Sequence, residues 1–352
     1  MCQRYYPDIG GVEDHVKNIA ERLAEKHDVS VFTTASKMLP TEEIINGVQI
    51  RRFEAWSPSD AYYFSRGLKR SLRAHSQEYD VIHAHNYHAF PALYAAQAKK
   101  SRNKLVFTPH YHGGGHTFFR SLLHVPYKLW GIDIFKKADK IICVSDYEKS
   151  LVMKHFKVSD KKIAVIPNGV SFKEFERLEK RKAKDIKVIL YVGRLEKYKG
   201  VHYLIKTLQM LGNDFILEIV GKGPYERSLI NLARKLGVEN RVKFYQALPR
   251  NQLLQKYADA DIFVLLSKHE AFGISVAEAL ASNCPCVLAN TSALKEWIDD
   301  ENCFGVDYPI KIDKLAKLID EAVRRKVTRV KLWDWKEVVY KLTELYTDVI
   351  NT

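Results

Sequence analysis

No stretch of this 352-residue chain is apolar for long enough to cross a membrane; the longest uninterrupted runs, such as Ile262–Leu266, fall far short of the ~18 residues a span needs. Cysteine is scarce and odd in number. The five residues Cys2, Cys143, Cys284, Cys286 and Cys303 are scattered, mostly in strand-like apolar context. That pattern excludes a disulfide framework and reads as reduced packing residues in a cytoplasmic protein. No basic segment leading into an apolar one stands at the start, and there is no short-period repeat or low-complexity tract. Positive charge is abundant but nowhere concentrated. Residues 1–170 hold 25 Lys+Arg against 17 Asp+Glu, and residues 171–352 hold 31 against 25, so the net +14 divides into +8 and +6. A nucleic-acid binder gathers its basic residues on one face or arm, and no such motif is present, so no nucleic-acid partner is expected. A diffuse basic bias fits anionic small ligands or an anionic membrane surface.

What the chain does have is alternation. With 46% hydrophobic and 28% charged residues and this length, it suggests two ordinary cores. Strand-like runs at 29–34, 48–53, 81–84, 104–109, 140–145 and 163–167 are separated by helical periodicity, for example the stripe Val12, Val16, Ile19, Ala20 and Leu23. A charged segment follows Asn168-Gly169, and the alternation then restarts at 188–192, 215–220, 242–245, 262–266 and 286–289. This is the pattern of α/β architecture with parallel sheets, here two doubly wound domains. The expected boundaries are 1–170, a linker at 171–186, 187–332, and a closing amphipathic helix at 333–352. Asp334 and Glu337 form a capping-box signature for that helix.

The beginning departs from this plan. The first glycine loop of a doubly wound domain follows a central strand, yet only nine residues precede Gly10-Gly11. An empty central position would leave two rows of backbone groups unpaired. The expectation is a truncated first strand and a natural start several residues upstream.

The most informative segment is Lys268–Asn290, KHEAFGISVAEALASNCPCVLAN. It sets Glu270 and Glu278 eight residues apart around a Phe272-Gly273-Ile274-Ser275 turn that opens a short apolar helix just after a strand. Helix starts at the carboxyl ends of parallel strands face the ligand crevice and suit an anion, and Gly273 lets a ligand reach bare backbone. Two acids beside such a turn make sense for a ligand that carries hydroxyls as well as phosphate, as a nucleotide sugar does. Arg194 and Lys199 follow another strand and Gly193, where a fixed guanidinium and ammonium would stabilise a departing diphosphate without proton transfer.

With the GGVE turn at Gly10–Glu13, TPHYHG at Thr108–Gly113 and VGRLEKYKG at Val192–Gly200, the chain resembles glycosyltransferase family 4 over nearly its whole length. The resemblance implies a GT-B enzyme. Two Rossmann-like domains face a cleft, the first on the acceptor side and the second holding the nucleotide sugar, with the last helix packed back on the first. It implies retaining transfer of a hexosyl group, mannose or glucose type, to a hydroxyl acceptor such as a glycolipid, polysaccharide precursor or small polyol. His110, Arg194, Lys199 and Glu270 are the implied catalytic residues, with His110 and Glu270 near the donor sugar. Gly10, Gly11, Phe272, Gly273, Ile274 and Glu278 are the implied donor-binding residues, Glu278 on the ribose. No metal or other cofactor is expected, since cations and helix start supply the positive field.

Other readings bear on these. His110, His112 and His116 invite a zinc site, but no nearby Cys, Asp or Glu completes it and Gly113-Gly114-Gly115 would hold ligands loosely. His83, His85 and His88 read as pocket lining, within reach of the acceptor. The segment 117–131, TFFRSLLHVPYKLWG, combines apolar bulk with basic residues, which suits a peripheral contact at the inner face of the cell membrane or a partly buried helix and loop. Asn283 and Thr291-Ser292-Ala293 stand where glycines are common in the family. A sugar-phosphate synthase or phosphorylase of the same fold, or a noncatalytic nucleotide-sugar binder, is the alternative function.

Overall fold

The computed structural model describes residues 1–8, 10–35, 38–58, 62–113, 127, 130–176, 178–179, 185–246, 248–328 and 330–352. The chain divides into two compact units, residues 1–169 with 335–352, and residues 170–334.

In the first unit β1 (Ser30–Ala35), β2 (Glu42–Ile45) and β3 (Val48–Glu54) form one sheet in the order β1-β3-β2. β4 (Val81–His85), β5 (Lys104–Thr108), β6 (Lys140–Cys143) and β7 (Ile163–Val165) form a second, parallel and in sequence order. The first residues of the chain lie between the two sheets. Cys2 N–H donates to the Phe32 carbonyl (3.3 Å), Thr34 N–H to Gln3 (3.3 Å) and His85 N–H to Met1 (2.9 Å). Residues 1–3 thereby bond β1 on one side and β4 on the other, and none is more than 9% exposed. The central position expected to be largely empty is occupied at its carboxyl end, where the ligand-facing loop begins.

β2 is an antiparallel edge strand beside β3, which pairs in parallel with β1. Its hairpin turns on Asn46 (φ 48°) and Gly47 (φ 80°), the positive-φ pair that a two-residue hairpin favours. Its Glu42-Glu43-Ile44-Ile45 sequence lacks alternation and stays exposed or half-buried, so periodicity does not reveal it.

The helix Gly11–Leu23 buries Val16, Ile19 and Ala20, and also Glu13 and His15, which the apolar stripe did not include. The closing helix Trp335–Ile350 belongs to the first unit, where it buries Trp335, Val338, Leu342 and Val349 and Tyr346 shares a 2.6 Å hydrogen bond with His83 Nδ1. The chain passes between units at 169/170 and 334/335, so the described residues of the stretch expected as a linker, 171–176, 178–179 and 185–186, fall in the second unit. There Arg250 pairs with Glu174 (2.8 Å) and the Gln255 amide donates to the Glu179 carbonyl (2.8 Å).

The second unit is a six-stranded parallel sheet: β8 (Lys187–Val192), β9 (Phe215–Val220), β10 (Val242–Tyr245), β11 (Ile262–Leu265), β12 (Cys286–Ala289) and β13 (Cys303–Val306). Its order, β10-β9-β8-β11-β12-β13, is the doubly wound 3-2-1-4-5-6 arrangement. β11 and β12 are buried along their whole length, as strands covered on both faces by helices must be. β13, a four-residue edge strand containing Gly305, was missing from the strands read from sequence. All five cysteines are buried. Chain order reverses between β8 and β11, and ligands of such sheets bind in the crevice beyond the carboxyl ends of the strands at that switch point.

Candidate functional site

Arg194 and Lys199 leave β8, and Glu270 and Gly273 leave β11, so the two loops that carry most of the expected donor residues flank the switch point of the second unit. Close backbone contact joins them. A Cβ on Gly200 (φ +77°) would lie 2.4 Å from the Leu266 carbonyl oxygen, so only glycine lets the β8 loop settle on the end of β11. Lys268 N–H then donates to the Tyr198 carbonyl at 2.9 Å. The product is an ion pair, Lys199 Nζ to Glu270 Oε1 at 2.5 Å, with side chains 13% and 16% exposed. Burial alone would lower the Lys199 pKa, but the Glu270 carboxylate outweighs it and holds the ammonium above its ordinary value. Glu270 is itself fixed from the backbone, its N–H donating to Ser292 Oγ at 3.1 Å. Ser292, in the turn Thr291-Ser292-Ala293, therefore positions the backbone of the acid.

Arg194 stands apart from this pair. Its side chain is 59% exposed, with Nη2 3.2 Å from Glu196 Oε1. The helix Ile274–Ala281 opens at Gly273, whose φ of +99° disfavours any side chain. The Phe272 carbonyl is held by Trp297 Nε1–H at 2.8 Å. One turn into the helix, Glu278 is 6% exposed and both its oxygens are engaged: Oε1 by Arg250 Nη1, Oε2 by the Tyr257 hydroxyl at 2.9 Å. Neither partner stood out in the sequence, because Arg250 and Tyr257 come from a separate helix, Arg250–Asp259. Asn283 does adopt the left-handed backbone (φ 56°) that lets it replace glycine.

In the first unit Gly10 caps the helix that Gly11 begins. A Cβ on Gly10 would meet Glu13 Oε2 at 2.3 Å, and Glu13 is in turn paired with Arg4 at 2.9 Å. The turn is packed by its own acid. His110 follows β5 at φ 48°. Its neighbour Tyr111 donates its N–H to Glu148 Oε1, and Glu148 Oε2 accepts from Val144 N–H at 2.7 Å. Glu148 is fully buried; burial pushes its carboxyl up to about 8 while the two amides pull it down. It braces the loop that carries His110. A signal was available in Ser145-x-x-Glu148, a capping-box spacing, and Ser145 Oγ does accept the Glu148 N–H at 3.0 Å.

The histidines group differently from the expectation. His110 sits with His15 and His85, ring centroids 5.0 and 5.8 Å away. His112 stacks on His88 instead, at 5.2 Å. His83 is held by Thr108 (2.8 Å) as well as Tyr346. Gly114, Gly115, His116 and most of the expected membrane patch (residues 117–126 and 128–129) lie outside the described residues. His15 was missed because nothing in the turn of sequence around it announces a site; it comes from the first helix, and its Nδ1 lies 2.6 Å from Asn168 Oδ1.

These rings predict an acid sensitivity. Burial lowers His15 to about 4, against the Asn168 contact that raises it, and holds His85, beside His83, His15, the terminal amine and His110, well below its ordinary 6.5. Below pH 6.5 the unfolded chain takes up protons that these two folded histidines refuse. Their contribution is thus intact above 6.5 and lost as pH falls towards 4, at up to ~1.4 kcal/mol per pH unit for each. Urea melts at pH 7.5 and 5.0 should show this loss, and His85→Leu should reduce it; an unchanged pH dependence in that variant would contradict the assignment.

Comparison with known proteins agrees with the geometry. The model of Glycosyltransferase Family 4 matches residues 9–174, and that of Glycosyl transferases group 1 matches residues 172–334. An uncharacterized glycosyltransferase of Methanocaldococcus jannaschii is 29% identical, over 90% of this chain and 85% of the relative. The D-inositol 3-phosphate glycosyltransferase of Corynebacterium aurimucosum is 26% identical over 98% and 92%. The crystal structure of Anabaena HepE in complex with UDP-glucose superposes with a TM-score of 0.79 at 18% identity, covering 99% of this chain and 98% of that one. Among the described residues no helix is long and apolar enough to cross a membrane. The two family models together span residues 9–334, and the chain belongs to glycosyltransferase family 4, sugar-transferring enzymes built on the GT-B fold.

Proposed function

We propose that this transferase moves a hexosyl group, of mannose or glucose type, from a nucleotide diphosphate sugar to a hydroxyl acceptor with retention of anomeric configuration. The observation that carries this reading is the Lys199–Glu270 pair, set at the β8/β11 switch point beside a helix opened by glycine. The ammonium has three N–H donors, of which Glu270 takes one, so the same group reaches both an acid and a phosphate. In this reading Lys199 and Arg194 meet the diphosphate, and the Phe272, Gly273 and Ile274 amides meet the sugar or distal phosphate. Glu278 accepts from the ribose hydroxyls. Glu270 borders the transferred sugar; in the first unit His110 is the candidate contact to the sugar, and Gly10 and Gly11 offer amides to phosphate or acceptor.

The acceptor oxygen attacks the anomeric carbon on the face from which the diphosphate leaves, and its proton passes to the departing phosphate oxygen. Lys199, Arg194 and the helix start stabilise the negative charge that builds there, so the step requires no metal. HepE, bound to UDP-glucose, supports a nucleotide-hexose donor. The corynebacterial relative, named for D-inositol 3-phosphate, supports a polyol-type acceptor beside glycolipid or polysaccharide precursors. We place the enzyme in the cytoplasm with a peripheral membrane contact.

A thermal-shift panel of nucleoside diphosphates and nucleotide sugars tests the donor. A ligand at 100 times its Kd adds about 2.7 kcal/mol, so the true donor raises Tm by several degrees. Transfer then consumes the nucleotide sugar and neither a soluble sugar phosphate nor free phosphate. A panel in which no nucleotide compound shifts Tm would overturn the proposal.

A further inference from the structure

The three histidines His15, His85 and His110 come from three separate segments: the first helix, the end of β4 and the loop after β5. Their nearest ring nitrogens lie within 4.8 Å of one another. His15 and His85 are 3% and 2% exposed. One nitrogen on each ring (His15 Nε2, His85 Nδ1 and His110 Nε2) is buried with no hydrogen-bond partner among the described residues. The three rings thus bring unpartnered nitrogens into one buried cluster. We infer that the trio is a binding site for a borderline-soft divalent transition metal of the zinc type.

The chemistry of the donors selects the ion. Three imidazoles without a carboxylate or thiolate suit zinc, nickel or copper and not calcium or magnesium, which demand oxygen. Three atoms no more than 4.8 Å apart lie at most about 2.8 Å from their common centre, and a zinc–imidazole bond is about 2.0–2.1 Å. Each ring has to move inward by under about an ångström, within reach of side-chain rotation. Asn168 supplies what such sites require behind the ligand. With its Oδ1 2.6 Å from His15 Nδ1, the proton belongs on Nδ1 and the Nε2 lone pair is turned into the trio. A three-histidine set leaves a fourth position open on the metal.

Because His110 also borders the sugar in the proposed transfer, an ion held here competes with catalysis. The ion is a ligand that transfer does without, and zinc occupancy lowers activity instead of supporting it. The binding claim itself stands independently of the transfer reaction.

The test uses the full-length protein after chelator treatment, titrated with zinc chloride at pH 7.5 against a chromophoric competitor, and with cobalt(II) followed by absorption. The expected result is one zinc per chain and a four-coordinate cobalt spectrum free of thiolate charge-transfer bands. His15→Gln and His85→Gln should weaken zinc at least 100-fold and Asn168→Ala 10- to 100-fold, whereas His202→Gln, on the helix Val201–Thr207 of the second unit, should leave it unchanged. Absence of stoichiometric binding would overturn the inference, as the nitrogens would then merely share a water. So would unchanged affinity in both histidine variants, or a thiolate band showing that the cysteines are the ligands. If a histidine variant fails to fold, the wild-type stoichiometry and cobalt spectrum still decide.

Discussion

Lys199→Ala is expected to lower kcat by about 10² to 10³, the loss seen when one preorganised donor is removed from a site of developing negative charge. Two features make this position more sensitive than an ordinary surface lysine. The ammonium is held at 2.5 Å from Glu270 in a pocket where both side chains are at most 16% exposed, so its field is weakly screened. Its removal also strands the Glu270 carboxylate, which loses its ammonium partner and its fixed orientation. Breaking a mostly buried pair from one side costs on the order of 3 kcal/mol, so a lower Tm should accompany the lost rate. Lys199→Arg should restore only part of the activity, since a planar fork does not fit the place of a compact ammonium. Arg194→Ala should slow transfer without lowering Tm, because that side chain is 59% exposed and bonds Glu196 at the surface. Steady-state kinetics with melts on the three variants check this. A Lys199→Ala enzyme within about fivefold of wild type in kcat would remove the lysine from the reaction.

Glu278→Gln and Glu278→Ala are expected to part company. In the alanine variant the Tyr257 hydroxyl, buried and pointing at the missing carboxylate, loses its acceptor, at a cost of about 1–3 kcal/mol. Arg250 keeps Glu174 and is not stranded. Stability and donor affinity therefore fall together, and the single variant cannot separate them. Glutamine keeps the shape and an acceptor for Tyr257 but gives up the charge facing Arg250 and one acceptor for a ribose hydroxyl. It should raise the donor KM about tenfold, or ~1.4 kcal/mol, with kcat nearly unchanged and Tm close to wild type. A fall in kcat at constant KM would place Glu278 in the chemistry, and no kinetic change would make it a purely structural partner of Tyr257.

The grouping of residues at the β8/β11 switch point was legible because its information is local. Lys268–Asn290 carries strand, acid, glycine turn and acid in one unbroken stretch, and β8 with its loop carries the cations in another. Doubly wound topology then brings the two together, since the first and fourth strands flank the switch point. What the sequence hid depends on contacts between distant segments. Arg250 and Tyr257 reach Glu278 from another helix, Glu148 reaches the His110 loop from the helix Asp146–Phe156 after β6, and Ser292 reaches Glu270 from the turn after β12. His15 lies outside the apolar stripe read from the sequence, yet it is buried next to Val16 on the same helix. Two short strands escaped for a simpler reason. Glu42–Ile45 and Cys303–Val306 are four-residue edge strands, too brief for a period of two to register, and the Asn46-Gly47 hairpin signal between β2 and β3 went unread.

The switch-point site is tested most directly by titrating nucleoside diphosphates calorimetrically into the wild type, Lys199→Ala and Glu278→Gln. At least one diphosphate should bind the wild type with one site per chain and bind each variant at least tenfold more weakly. Failure of every nucleoside diphosphate to bind, or equal affinity in all three proteins, would contradict a donor site at the ends of β8 and β11.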